Sequence, residues 1–264
     1  MIPELLVDEP RINHEAAIED FRRLLDATAP HRVLRLLGNG KMGKTFLLTR
    51  IFPRLIAAQR LRYAHIDMHN PAHGPLDLLH TACGQLDRRR FATFDAAYES
   101  WLNRPRIAVS GLQVLLARVS VSSRADADES ARAVPLLTRK FVDDLEGLNA
   151  TPLVLLFDAV DNAAPAIQSW LMASLLVQLS ALPHVRVVVA GRTLPDAAGA
   201  YAARCVSHEL RPVTEAEAYI AYCQAKGLRL GEQSIRDFAR AAGYAPGQFA
   251  DLVKVFAPLG AGHD

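Results

Sequence analysis

Gly38, Asn39, Gly40, Lys41, Met42, Gly43, Lys44 and Thr45 fit the spacing G-x-x-x-x-G-K-[ST] at every fixed position. The chemistry that spacing serves is phosphate binding. Glycines let backbone N–H groups curl around an anion with no Cβ in the way. Lys44 would reach the β- and γ-phosphates of a nucleotide, and the Thr45 hydroxyl would ligate Mg²⁺. An apolar run at 33–37 precedes the loop, and an apolar-periodic helix opening at Phe46 follows it. That strand–loop–helix context turns a pattern into a physical claim. The helix adds its positive end to the site, and Phe46 is counted with the loop as nucleotide-binding.

The second group of reactive residues is Asp158, Asp161 and Arg192. The run PLVLLFDAVDNA (152–163) is apolar without alternation up to Asp158, as suits a strand buried on both faces of a parallel sheet. An acid at the tip of such a strand can hold Mg²⁺ in a phosphate-loop enzyme. Asp161 lies three residues on, facing the same crevice at the carboxyl ends of the strands. It is a candidate to position the attacking water, the alternative being a cap for a helix opening near Pro165. Another apolar run (184–190) leads into Arg192, which places that arginine where a γ-phosphate is sensed.

The remaining elements serve to position these groups. A helix over about 14–27, capped by Asn13, comes before the first strand at about 32–37. A second strand covers 62–68, a helix about 75–89, and a last strand about 205–210 completes a sheet of at least five. Residues 120–130 read as a polar loop, followed by a helix from about 132 to 148. After 214 the pattern is purely helical. Thr214 and Glu217 suggest a capping box, Gly227 a helix stop, and two further helices cover about 231–242 and 247–257. The expected architecture is a three-layer α/β P-loop fold: a nucleotide-binding domain over 1–211 and a helical lid over 212–264. The Arg88–Arg90 run reads as a solvated helix end. His65, His69 and His73 recur every fourth residue, but Pro71 and Gly74 argue against the helix that would gather them on a metal.

Composition narrows the class. The chain has 264 residues, half of them apolar, enough for one large domain or one domain with a satellite. A formal charge of +2 gives no electrostatic reason to expect nucleic acid. Cys83, Cys205 and Cys223 show no metal or redox spacing, and the N-terminus lacks the layout of a secretion signal. The longest apolar segment, 171–182, is too short to span a bilayer. A cytoplasmic protein without a membrane anchor is expected.

The order of these features resembles the core of the STAND class, signal-transduction ATPases related to AAA+ proteins. The resemblance covers about residues 5–258 and rests on the phosphate loop, Asp158-Ala159-Val160-Asp161, the Gly191-Arg192 strand tip and Gly243-Tyr244-Ala245-Pro246 in the lid. It implies that Asp158 serves Mg²⁺, Asp161 hydrolysis and Arg192 γ-phosphate sensing, and that Pro246 contacts the nucleotide. The spacing here is Gly-x-x-Pro where the class has Gly-x-Pro. It also points to Leu6, Val7 and Asp8 near adenine, although Asp8-Glu9-Pro10-Arg11 replaces the class signature. The function so implied is a slowly hydrolysing ATP/ADP switch that self-associates with ATP bound and controls a protein effector. The alternatives are an AAA+-like ATPase for protein remodelling or DNA transactions, with Arg104, Arg106 and Arg204 as finger candidates, and a small-molecule kinase.

Overall fold

The computed structural model describes residues 11–12, 14–70, 73–103, 118–149 and 152–256. The chain runs α1 (Glu15–Leu25), β1 (Val33–Leu37), α2 (Lys44–Phe46), α3 (Phe52–Ala58), β2 (Arg62–Asp67), α4 (Pro75–Leu86) and α5 (Ala92–Leu102). It continues through α6 (Arg118–Glu146), β3 (Leu153–Asp158), α7 (Pro165–Trp170), α8 (Leu176–Leu179), β4 (Val185–Gly191) and β5 (Cys205–Glu209). Three helices close it: α9 (Ala216–Ala225), α10 (Glu232–Ala241) and α11 (Pro246–Phe256). A π-helical segment, Leu47–Ile51, joins α2 to α3. Pro53 follows it and has no N–H to give the Thr49 carbonyl, so a regular α ladder cannot run through.

The strands form one parallel sheet in the order β2-β3-β4-β1-β5. Every residue of β3 and β4 is buried, which is why neither alternates in sequence. Their side chains still alternate between two cores. Leu153, Leu155 and Phe157 join Phe94, Phe141 and Trp170 on the face covered by α4 to α8. Val154 and Leu156 join Phe21, Ile51 and Phe52 on the face covered by α1 to α3. The sheet is thus the middle of three layers. Phe21 stacks on Phe52 with ring centroids 3.8 Å apart, a geometry that adds about 0.5–1.5 kcal/mol to burial.

Helix α1 is anchored at its far end by a strand residue. The buried Arg186 of β4 donates to the carbonyls of Leu24 at 2.7 Å and Asp26 at 3.1 Å, which α1 cannot satisfy internally. At the open flank of the sheet, the Gln85 amide accepts the His65 N–H at 2.7 Å and donates to the His65 carbonyl at 2.8 Å.

The three C-terminal helices have their own cluster around Tyr219, Phe249 and Val253, and Ile12 from ahead of α1 inserts into it. Gly227 takes φ 67 and the Leu228 N–H reaches the Cys223 carbonyl at 2.9 Å, the left-handed stop expected there. No described helix is long and apolar enough to cross a membrane.

Three local expectations are corrected. The stretch expected as a polar loop, 120–130, belongs to α6, which begins at Arg118. Polarity alone does not break a helix, and that stretch has neither Gly nor Pro. The Thr214–Glu217 box is not made. Glu215 holds the cap position of α9 without a side-chain bond, and the Glu217 carboxylate meets Arg236 at 3.3 Å. The helix expected to reach about 89 ends at Leu86; the arginine run, exposed as expected, lies in a short 3₁₀ turn after it, where Arg88 pairs with Asp95 at 2.7 Å and Arg90 with Asp87 at 3.4 Å.

Candidate nucleotide site

The phosphate loop leaves β1 at Leu37, and two of its glycines are obligatory. Gly38 takes φ 148, and a Cβ there would stand 2.7 Å from the Leu210 carbonyl oxygen. Gly43 takes φ 95, and a Cβ would stand 2.2 Å from His14 Nε2. Lys41 adopts φ 65, a left-handed conformation on a residue that has a Cβ. Lys44 opens α2 and is buried; its Nζ donates to the carbonyls of Gly38 and Asn39, the latter at 2.9 Å. Burial depresses the Lys44 pKa, and the carboxylates of Asp161 and Asp158 work against that.

Asp158, only 3% exposed, ends β3 beneath the loop. Burial pushes its carboxyl up, but neighbouring His65, the Thr45 hydroxyl and the Ala159 N–H (2.8 Å) prevail and hold it below the usual carboxylate range. His65 Nε2 stands 3.9 Å from Asp158 Oδ2, too far for a hydrogen bond, so its help is electrostatic in kind. After Ala159, itself at φ 55, Asp161 lies in a 3₁₀ turn. There its Oδ1 accepts the Arg192 N–H at 2.9 Å and its Oδ2 lies 3.7 Å from Arg192 Nε. It does not cap α7, which starts at Pro165 with no side-chain cap bond. The Arg192 side chain is 64% exposed at the mouth of the crevice.

The C-terminal helices close the other side. The Gly247 N–H donates to the Lys41 carbonyl at 2.7 Å, and a Cβ on Gly247 would stand 2.7 Å from that same oxygen. Lys41 Nζ pairs with Asp251 at 2.8 Å. Between loop and helices lies a cavity of about 660 Å³. Gly40, Lys41, Met42, Gly43, Lys44, Thr45, Phe46, Asp158, Asp161, Arg192 and Pro246 all line it. Gly38 and Asn39 do not; they stand behind, holding Lys44 Nζ. Leu6, Val7, Asp8, Arg104 and Arg106 lie outside the described residues.

Sequence reasoning missed His14, Arg50, Tyr222, Lys226, Gly247 and Lys254, which also line the cavity. Of these only Gly247, next to Pro246, carried any signal. The three regularly spaced histidines do not converge. His69 faces Asn162 at 2.8 Å and His73 faces Asn70 at 3.2 Å. Among the described residues no cluster of three or more His, Cys, Asp or Glu could hold a metal. The Thr45 hydroxyl beside the Asp158 carboxylate is a hard oxygen pair that suits Mg²⁺ sharing its remaining ligands with phosphate and water.

No family model and no curated protein matches the chain. Solved structures do. The Orc1 protein of Aeropyrum pernix, in complex with DNA, matches at TM-score 0.52 and 16% identity, over 98% of this chain and 62% of that one. Cdc6p of Pyrobaculum aerophilum matches at TM-score 0.47 and 17% identity, over 90% of this chain and 56% of that one. A Walker-type ATPase of Pyrococcus abyssi matches at TM-score 0.46 and 12% identity, over 91% and 67%. The chain therefore spans less than two thirds of the Orc1 and Cdc6 proteins. With its five parallel strands, flanking helices and C-terminal helices, it has the fold of a P-loop ATPase core.

Proposed function

We propose that the chain is an AAA+-like ATPase that binds ATP with Mg²⁺ between the phosphate loop and the C-terminal helices and hydrolyses it. One observation carries this reading: Gly40 to Thr45 of the loop, Asp158, Asp161, Arg192 and Pro246, spread over about two hundred residues of sequence, line a single cavity. Lys44 exchanges the Gly38 and Asn39 carbonyls for the β- and γ-phosphates. Thr45 and Asp158 hold Mg²⁺, which neutralises phosphate charge. Asp161 orients the attacking water, and Arg192 meets the γ-phosphate. Residues 1–211 act as the nucleotide-binding domain and 212–264 as its lid. Phosphate release by the wild type, absent in Lys44→Ala, tests the assignment.

The work done by turnover is a DNA transaction or the remodelling of a protein. The likeness to an Orc1 protein solved in complex with DNA supports this, and weighs against the expectation that nucleic acid is no partner. Stimulation of hydrolysis by duplex DNA is the test.

A STAND-type switch is the second reading, with ATP-dependent self-association, an effector on another chain and low turnover in the cytoplasm. The bond from Gly247 to the Lys41 carbonyl and the Lys41–Asp251 pair support it, because they tie the helices directly to the phosphate loop. A nucleotide that favours one placement of those helices shifts the population. Light scattering with ATP and with ADP separates this reading from the first.

A further inference from the structure

We infer that His14 is a positioning residue of the phosphate loop, turning the Met42–Gly43 peptide so that the Gly43 N–H is presented to the anion. The inference rests on the nucleotide reading above and adds a residue to it. His14 lies ahead of α1, is 4% exposed, and its Nε2–H donates to the Met42 carbonyl at 3.0 Å. A peptide unit is planar and trans, so its C=O and the next residue's N–H point in opposite directions. Fixing the Met42 oxygen on His14 therefore aims the Gly43 N–H away from the imidazole, and Gly43, like His14, lines the cavity.

The preceding peptide is held by the same means from the C-terminal helices. The Gly247 N–H holds the Lys41 carbonyl, which turns the Met42 N–H the other way. Further back, Lys44 Nζ holds the carbonyls of Gly38 and Asn39. Lys44 leaves its two carbonyls when it meets phosphate, whereas the Lys41 and Met42 carbonyls keep their donors, and oxygens tied back in this way cannot turn on a phosphate. Of these donors, only the imidazole is both a side chain and foreign to the loop.

Its position is not adjustable. Arg186 fixes the far end of α1, Phe21 stacks on Phe52 in its middle, and the imidazole fills the space a Cβ on Gly43 would need. His14 can therefore act on the loop as a fixed wedge, and Gly43 is glycine partly because the wedge is there.

Two substitutions separate the donor from the volume. His14→Gln keeps an N–H where Nε2 stands; His14→Leu keeps the bulk and removes the donor. ATP·Mg²⁺ and inorganic tripolyphosphate are titrated calorimetrically into wild type, both variants and Lys44→Ala, with folding checked by thermal unfolding. Loss of a buried hydrogen bond should weaken His14→Leu about tenfold for both ligands, with His14→Gln within about threefold of wild type. His14→Leu binding both ligands like wild type, or His14→Gln failing as badly as His14→Leu, overturns the positioning role while the nucleotide reading stands. Wild type that binds neither ligand overturns the nucleotide reading itself and this inference with it.

Discussion

Asp161 clasps the tip of β4: one carboxylate oxygen takes the Arg192 N–H at 2.9 Å and the other stands 3.7 Å from the Arg192 guanidinium. The contact joins the loops that follow two different strands, β3 and β4. Gly191 leaves room for this, since a Cβ there would stand 3.0 Å from Asp161 Oδ1.

In Asp161→Asn the remaining oxygen still accepts the Arg192 N–H, but the charge beside the guanidinium, which the proposed reading uses to orient water, is gone. ATP·Mg²⁺ should bind nearly as before while single-turnover phosphate release slows at least about tenfold, the signature of a contact used in the transition state. Unchanged release would leave Asp161 as a clasp only.

Under the proposed reading Arg192 meets the γ-phosphate, which ADP lacks, so Arg192→Ala should weaken ATP by about tenfold and leave ADP affinity nearly unchanged. Competitive titration with both nucleotides decides it. Equal weakening of the two would remove the sensing role.

Lys44→Ala should abolish tight nucleotide binding with the fold intact, since Lys44 ties down only loop carbonyls. Asp158→Asn should weaken Mg²⁺-dependent ATP binding and turnover together but leave metal-free ADP binding unchanged. Calorimetry with and without Mg²⁺ separates the two variants, and metal-independent losses in Asp158→Asn would take Asp158 out of the metal site.

Burial depresses the His14 pKa below its ordinary 6.5, so the folded state resists a proton that the unfolded chain accepts. Its contribution to stability is complete above 6.5 and is lost as pH falls below it, levelling off under the folded-state value. The drop in thermal stability between about pH 7.5 and about pH 5.5 should be smaller in His14→Gln than in wild type. Equal drops would show that His14 does not contribute.

The sheet was legible because burial on both faces writes itself as largely apolar runs, each interrupted by one buried arginine: strands expected at 32–37 and 184–190 appear as Val33–Leu37 and Val185–Gly191. The placing of the loop, Asp158 and Arg192 around one cavity was legible because each stands at the carboxyl end of a parallel strand. His14 and Gly247 act on backbone carbonyls far away in sequence, and no local pattern records such a pairing. The polar stretch 120–130 of α6 was misread because polar composition does not by itself end a helix, and that stretch has neither Gly nor Pro.

The bidentate grip of Gln85 on the His65 backbone bears on how copies of this chain meet. A strand with an open flank is a template on which another chain can add a strand, the first step towards fibrous stacking. β2 is six residues long, and with the amide groups of His65 occupied the flank offers no continuous run for a ladder. Gln85→Ala should raise the tendency to form thioflavin-positive aggregates while leaving the cavity untouched. Encounters between copies at this flank are thereby steered to side-chain surfaces and away from backbone templating.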